Sequence, residues 1–173
     1  MSDRRWEAVQ AEHAAAVRDF VESLRRVPAS GWQHAARERA WTPAGVALHV
    51  IRSYEVGCRG AAGDGGMRLM VPPARARVAR TLFLPIILAT GRFPPARAPR
   101  ETVPEVGEAA ALGQEEAIAR LVRTADEAAS ALRRADAPGS RVLVTHAYFG
   151  PLEPRRVLRL LSVHTRHHAR GLA

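Results

Sequence analysis

Residues 154–172 read PRRVLRLLSVHTRHHARGL. With about 100° of rotation per residue in an α-helix, Val157, Leu161, His164 and His168 fall within an arc of about 60°. The opposite side of such a helix carries arginines: Arg155, Arg159, Arg166 and Arg170. The segment is therefore predicted to be an amphipathic helix that turns two histidines, one helical turn apart, toward the protein core.

Three further segments show the spacing of apolar residues that is typical of helices. One extends from about Arg4 to Val27, and another from about Gln114 to Ala135. Between them, Thr42 suits an N-cap and Pro43 suits the first turn of a helix that continues to about Gly60. Four long helices predict an all-α protein, a four-helix bundle. No internal repeat is visible, so all 173 residues are predicted to form a single domain.

The segment between the second and third long helices, residues 67–112, is predicted to add an extra helical or irregular element. Arg75 to Gly91 is predicted to be helical, and bent or broken at Pro85. Residues 93–104 are rich in proline and arginine, which indicates an irregular connection across the surface. The apolar run 82–88 leaves three alternatives: a surface for homodimer formation, an extra core helix, or a lid over a pocket.

Composition favours a cytoplasmic globular protein. Apolar residues make up 47% of the chain, an ordinary fraction for a globular domain. Cys58 is the only cysteine, so no intrachain disulfide can form and a reducing compartment is expected. The N-terminal residues lack the apolar run of a signal peptide. The longest apolar run, residues 82–89, is too short to cross a bilayer, so no membrane partner is expected.

The net charge of +9 is carried by arginine, because the chain contains no lysine. Such a charge can attract nucleic acid, anionic lipid or acidic small molecules. The arginines are spread over the chain and are not interleaved with aromatic residues, as a base-stacking surface would require. A general bias toward Ala, Arg, Gly and Pro explains the charge better, and no nucleic-acid partner is expected.

Two imidazoles one helical turn apart on a buried face can bind one metal ion, as they do in zinc proteases. The glutamate that those proteases carry between the histidines is absent from 164–168, so protease chemistry is not indicated. His49 is the best third ligand, because Val46, Val50 and Ser53 share its face of the second helix. Three neutral imidazoles leave positions open for water or a substrate. The competing interpretation is that these are hydrogen-bonded core histidines.

The sequence contains three motifs with a family likeness: WTPAGVALH at 41–49, HAYFGPL at 146–152 and HTRHHARGL at 164–172. Together they resemble the DinB/YfiT-like superfamily of helical-bundle metalloenzymes. The resemblance implies that His49, His164 and His168 are the ligands of a divalent metal ion. Zn or Ni is the expected ion, with Fe, Mn or Cu as alternatives. Neutral imidazole ligands suit Zn, Ni, Cu and Fe alike. Residues 60–112 match no motif of the superfamily.

Members of that superfamily include transferases and isomerases that use a low-molecular-weight thiol such as bacillithiol or mycothiol. The resemblance therefore implies a small-molecule substrate, and it implies a homodimer, since relatives are often dimers. A metal would favour the thiolate, which is the nucleophile, and arginines in the pocket could hold the carboxylates of the thiol. Two alternatives remain. One is a hydrolase with metal-activated water, and the other is a non-enzymatic, metal-stabilised binding protein.

The other polar residues are predicted to have structural roles. His13 lies in the apolar seam of the first helix, where it is a weak candidate for a general acid or base in the pocket. A core histidine is the preferred interpretation of His13. His146 lies in a short extended or looped segment, residues 142–149. Unless that loop folds back, His146 is expected to be remote from the metal and to have a structural role. His34 is expected to be solvated and His167 to be peripheral. Cys58 is expected to be neither a ligand nor a nucleophile.

Overall fold

The computed structural model describes residues 2–38, 40–64 and 66–172. Its α-helices are α1 (Ser2–Arg26), α2 (Pro43–Ala61), α3 (Pro73–Val78), α4 (Leu84–Thr90), α5 (Val106–Ala111), α6 (Gln114–Ala135) and α7 (Pro154–Leu172). Two short strands, β1 (Val144–His146) and β2 (Gly150–Leu152), pair antiparallel just before α7. The predicted all-α bundle is confirmed, with this hairpin as a small addition.

The four long helices bury one shared core. Helix α1 packs mainly against α7, and α2 packs mainly against α6, while α2 and α7 also meet each other. Phe20 of α1, Leu48 of α2, Leu121 of α6 and Leu158 of α7 are all fully buried. Burying each such side chain contributes about 1.5–3 kcal/mol relative to leaving it in water. The α2–α7 contact matters for function, because these two helices carry the three candidate ligands.

Local signals fix where α2 begins. The hydroxyl oxygen of Thr42 accepts a hydrogen bond from the backbone N–H of Gly45 at 3.1 Å, and Pro43 occupies the first turn. This is the N-cap that the sequence predicts. Near the other end of α2, Gly60 allows β1 to lie against the helix. A Cβ atom at Gly60 would lie 2.4 Å from Cγ1 of Val144, which is too close for any side chain.

Residues 73–90 form one helical stretch, interrupted by a π-helical turn from Ala79 to Phe83. The backbone N–H of Leu84 donates to the oxygen of Ala79, five residues earlier. The following residue, Pro85, has no N–H with which to continue the α-helical ladder, so the turn widens just before it. The stretch ends at Gly91, whose φ of 66° lies in the left-handed region. The predicted bend at Pro85 is thus present as a π turn.

The two faces of this stretch have opposite surroundings. Leu84 and Ile87 are buried against the bundle. Leu82 and Ile86 are each 58% exposed, so the apolar run divides between core and surface. Self-association through the exposed side stays a prediction. Among the described residues, no helix is both long enough and apolar enough to cross a bilayer.

An irregular segment, residues 92–99, follows Gly91 and is called the strap below. Hydrogen bonds from other elements hold the strap at two points, the residue before it and Arg97. Arg170 of α7 donates to the oxygen of Gly91, and the hydroxyl of Tyr148 donates to the oxygen of Arg97 at 2.7 Å. The connection is irregular, as predicted. However, it forms one wall of a cavity instead of merely crossing the surface.

Candidate metal centre and its cavity

The three predicted ligands meet at one point. His49 projects from α2, and His164 and His168 project from α7. The Nε2 atom of His164 lies 3.1 Å from Nε2 of His49 and also 3.1 Å from Nε2 of His168. One ligand atom from each ring lies within 4.8 Å of the other two. The structure therefore brings together the residues that helix periodicity placed on facing surfaces.

Hydrogen bonding alone does not account for both close contacts. A neutral imidazole nitrogen has either one N–H or one lone pair in the ring plane. Nε2 of His164 can therefore form one good hydrogen bond, yet it approaches two other ring nitrogens. Two nitrogens that bind the same tetrahedral Zn²⁺ at about 2.0–2.1 Å lie about 3.3–3.4 Å apart. The donor set and its spacing fit a divalent cation.

The ring of His49 is fixed by a backbone contact. Its Nδ1 atom lies 2.8 Å from the oxygen of Thr102. Because a carbonyl oxygen only accepts, Nδ1 must carry the proton and Nε2 must present its lone pair to the cluster. Thr102 is 1% exposed and belongs to a short 3₁₀ turn, Arg100–Thr102. This is the outer contact that metal-binding histidines usually make, and it sets the tautomer that coordination needs.

Burial keeps all three rings neutral. Loss of solvation lowers the pKa of His168 to about 3, with the neighbouring His49 and His167 adding to the effect. The same cause lowers the pKa of His49. It lowers the pKa of His164 well below its usual range, where the other histidines add repulsion. Neutral imidazole is the form that binds metals, so the cluster is a ready ligand set at neutral pH.

The cluster forms part of the wall of a cavity of about 870 Å³. Aromatic rings flank the histidines. The ring centroid of Trp41 lies 4.7 Å from that of His49, and the ring of Phe93 lies 5.7 Å from that of His164. Among the described residues that line the cavity, Arg97 is the only one of the Asp, Glu, Lys and Arg types. A small molecule in the cavity could thus reach the cluster through mainly apolar surroundings.

The prediction that His146 lies far from the cluster is wrong. His146 lines the same cavity as the three ligands, because the β1–β2 hairpin folds back toward α2. Its Nδ1 accepts a hydrogen bond from the backbone N–H of Tyr148 at 3.2 Å, and its ring stacks on Phe149 at 4.7 Å. Burial lowers its pKa to about 4. Gly150, with a φ of 67°, was the local signal for the turn.

His167 also reaches the cavity, although its side chain is exposed. Its ring centroid lies 5.2 Å from that of His168 and 5.4 Å from that of Phe93. His34 is exposed and does not line the cavity, as predicted. Cys58 is partly buried outside the cavity lining, and burial raises the pKa of its thiol.

His13 is a core residue and does not line the cavity. It is 3% exposed, and its ring meets that of Tyr54 edge to face at 5.4 Å. None of the described residues hydrogen bonds its Nε2. Tyr54 is fully buried as well, and its hydroxyl lies 2.9 Å from Oγ1 of Thr165. That hydrogen bond joins α2 to α7 one residue away from His164. The pocket role considered for His13 therefore has no support in the geometry.

Comparison with protein families agrees with this geometry. Residues 11–171 match the model of the DinB superfamily, and the matched range includes all three clustered histidines. Searches of curated proteins and of solved structures gave no significant match. The match covers nearly the whole chain, and the helical bundle and histidine cluster are those that the three sequence motifs implied. The chain belongs to the DinB superfamily.

Proposed function

We propose that this protein is a metal-dependent enzyme that transfers a low-molecular-weight thiol, or uses it to isomerise a small substrate. The observation that carries the proposal is the convergence of three neutral Nε2 atoms on the wall of a large cavity. His49, His164 and His168 would hold the cation, with Zn or Ni as the expected ion. A bound divalent cation would favour the thiolate form of a thiol, which is the nucleophilic form.

The residues around the cluster support such a reaction. The oxygen of Thr102 holds the His49 ring in its ligand tautomer. Trp41 and Phe93 place aromatic surface beside the histidines, which restricts access of water. His167 is exposed and lies beside His168, so its neutral imidazole can pass the thiol proton to solvent. In the transfer, sulfur bonds to an electrophilic carbon, and the leaving group departs with the electron pair and takes up a proton.

Ester or amide hydrolysis is the weaker candidate. Hydrolytic metal sites commonly place a carboxylate general base beside the attacking water. Among the described residues that line this cavity there is no aspartate or glutamate. A thiol has less need of a general base, because its ordinary pKa of about 8.5 is already close to neutral pH. A non-enzymatic, metal-stabilised binding protein could use the same cavity, and thiol-dependent turnover distinguishes the enzyme from it.

The decisive experiment combines metal analysis with thiol binding. Protein purified without a histidine tag is analysed for bound metal, and cobalt-substituted protein is titrated with glutathione, bacillithiol and mycothiol. We expect about one metal per chain and a sulfur-to-cobalt absorption band with at least one thiol. His164→Ala should remove both signals, and the exposed control His34→Ala should keep them. Full metal loading without any thiol signal or thiol-dependent turnover would overturn the thiol proposal.

A further inference from the structure

The lining of the cavity indicates which kind of second substrate it takes. We infer that the cavity binds an uncharged, mainly apolar molecule as the partner of the thiol. The part of this inference that depends on the proposed function is that the bound molecule reacts with the thiol. It concerns the electrophile, which neither the family match nor the histidine cluster identifies.

Apolar side chains from five parts of the fold line the cavity. Helices α2 and α7, the stretch around the π turn, the strap and the β1–β2 hairpin all contribute. Five lining side chains are aromatic: Trp41, Phe83, Phe93, Tyr148 and Phe149. Several others are aliphatic, among them Val56, Ile87, Leu152, Leu160 and Leu161. Surfaces of this kind bind ligands by removing apolar area from water, and away from the histidine cluster they offer no favourable place for an ionised group.

Three of the four hydroxyl side chains in the described lining, those of Ser53, Thr102 and Tyr148, are already engaged within the protein. The hydroxyl of Ser53 donates to the oxygen of His49 at 2.9 Å, and that of Thr102 donates to the oxygen of Pro99 at 3.0 Å. The hydroxyl of Tyr148 donates to the oxygen of Arg97. These three hydroxyl protons are therefore not available to a ligand. A ligand that needed one of these three protons would have to break the contact that now holds it.

Among the described side chains that line the cavity, Arg97 is the only lysine or arginine, and it lies at the mouth. Arg97 belongs to the strap and its side chain is exposed, so it can meet a carboxylate outside the apolar interior. Two neighbouring arginines donate to backbone oxygens and do not line the cavity. Arg80 donates to Pro151 at 2.9 Å, and Arg170 donates to Gly91. The charged part of a thiol cosubstrate therefore fits at the rim, and an apolar electrophile fits inside.

The size of the cavity agrees with this assignment. Pockets for small organic ligands usually measure about 300–1,000 Å³, and this one measures about 870 Å³. Phe83 lines the cavity and is still 54% exposed, which places its ring at the entrance. An apolar ligand that enters there would cover that ring and reach the rings of Trp41 and Phe93 beside the histidine cluster.

The test uses a neutral fluorescent probe, N-phenyl-1-naphthylamine, with the full chain in both metal-free and zinc-loaded forms. Displacement is then compared in the metal-free form, in which no ion attracts a carboxylate, for methyl 1-naphthoate and for 1-naphthoate, which differ mainly in charge. We expect the probe to bind, and the methyl ester to displace it at least about tenfold more effectively than the carboxylate. Phe83→Ala and Phe93→Ala should each weaken probe binding by about three- to tenfold. Thermal unfolding of each variant checks that the fold is kept.

Leu82→Ala provides the matched control. Leu82 is 58% exposed in the same π turn as Phe83, but it does not line the cavity. We expect its substitution to leave probe binding unchanged. An equal loss in Leu82→Ala and Phe83→Ala would place the probe on the outer surface and overturn the inference. Equal or stronger displacement by the carboxylate, or no probe binding at all, would also overturn it.

The two proposals fail in different ways. Probe binding requires neither metal nor thiol, so a protein that binds the ester but shows no thiol signal contradicts only the proposed function. A protein that binds metal and thiol but accepts only charged electrophiles contradicts only the apolar assignment.

Discussion

The Nδ1 atom of His49 lies 2.8 Å from the backbone oxygen of Thr102, 53 residues further along the chain. This contact decides which nitrogen of His49 faces the other histidines. It also ties α2 to the segment that leads from the strap to α5. The candidate metal site is therefore not a property of the two helices alone, because the connection between α4 and α5 supplies the group that orients one candidate ligand.

The hydrogen-bond partners predict opposite tautomers for two histidines of the cavity. His49 should carry its proton on Nδ1, which faces the oxygen of Thr102. His146 should carry its proton on Nε2, because its Nδ1 accepts from the N–H of Tyr148. Long-range ¹H–¹⁵N spectra of the metal-free protein at neutral pH report the protonated nitrogen of each ring. Finding the same tautomer in both residues would contradict the hydrogen-bond assignment.

Replacing His164, the central histidine of the cluster, should abolish stabilisation by zinc without lowering the stability of the metal-free protein. In the metal-free protein, Nε2 of His164 approaches two ring nitrogens and can satisfy only one of them. We expect His164→Leu to leave the free energy of unfolding unchanged, or to raise it by about 1 kcal/mol. Added zinc should raise the melting temperature of the original protein, but not that of the variant.

The control for this experiment is His34→Leu, which changes an exposed histidine outside the cavity. Its response to zinc should equal that of the original protein. If His164→Leu were stabilised by zinc to the same extent, the three-histidine site would not be where the ion binds.

Acidification should destabilise the fold through buried neutral histidines. Burial lowers the pKa of His13 to about 4, against an ordinary value of 6.5 in the unfolded chain. The unfolded chain therefore takes up a proton below about pH 6.5 that the folded chain refuses until about pH 4. The contribution of His13 to the free energy of unfolding is complete above about pH 6.5 and declines as the pH falls toward 4. The loss at pH 4.5 is on the order of 2 kcal/mol.

Urea unfolding between pH 7.5 and 4.5 measures this effect, with His13→Leu as the comparison. The variant should lose less stability over that interval, because the other buried histidines contribute equally to both proteins. At pH 7.5 it should be about as stable as the original, since the Nε2 atom that it removes has no hydrogen-bond partner among the described residues. Identical pH dependence in the two proteins would show that His13 is not held neutral by burial.

The contact between α2 and β1 should not tolerate a side chain at position 60. Gly60→Ala places a Cβ atom 2.4 Å from Cγ1 of Val144, so helix and hairpin must move apart. We expect a loss of about 1–3 kcal/mol in the free energy of unfolding, measured by urea denaturation. Adding Val144→Ala should recover part of the loss, because it removes the clashing methyl groups.

Gly107→Ala is the opposite case. Gly107 lies in α5, and a Cβ atom there would meet nothing within 4 Å. Alanine favours a helix over glycine by up to about 1 kcal/mol, so this variant should be slightly more stable. If Gly60→Ala left the free energy of unfolding unchanged or raised it, as Gly107→Ala should, the close approach of α2 and β1 would be contradicted.

The bundle could be predicted because its helices are specified by short-range signals. Thr42 and Pro43 mark the start of α2, and the predicted limits of α6, Gln114 and Ala135, are those of the structure. Helical spacing alone placed His164 and His168 on the inner face of α7, and placed His49 on the inner face of α2. Capping and periodicity depend on residues a few positions apart, so one sequence contains them in full.

The surroundings of the three histidines depended on contacts between distant parts of the chain. No local pattern announces that the oxygen of Thr102 meets His49, that His146 returns to the cavity, or that the strap forms a wall beside Phe93. These features lie in loops, whose positions are set by the elements on which they pack and not by their own periodicity. The sequence by itself determined the helices and the candidate ligands, and the tertiary structure decided the tautomer, the cavity and its apolar lining.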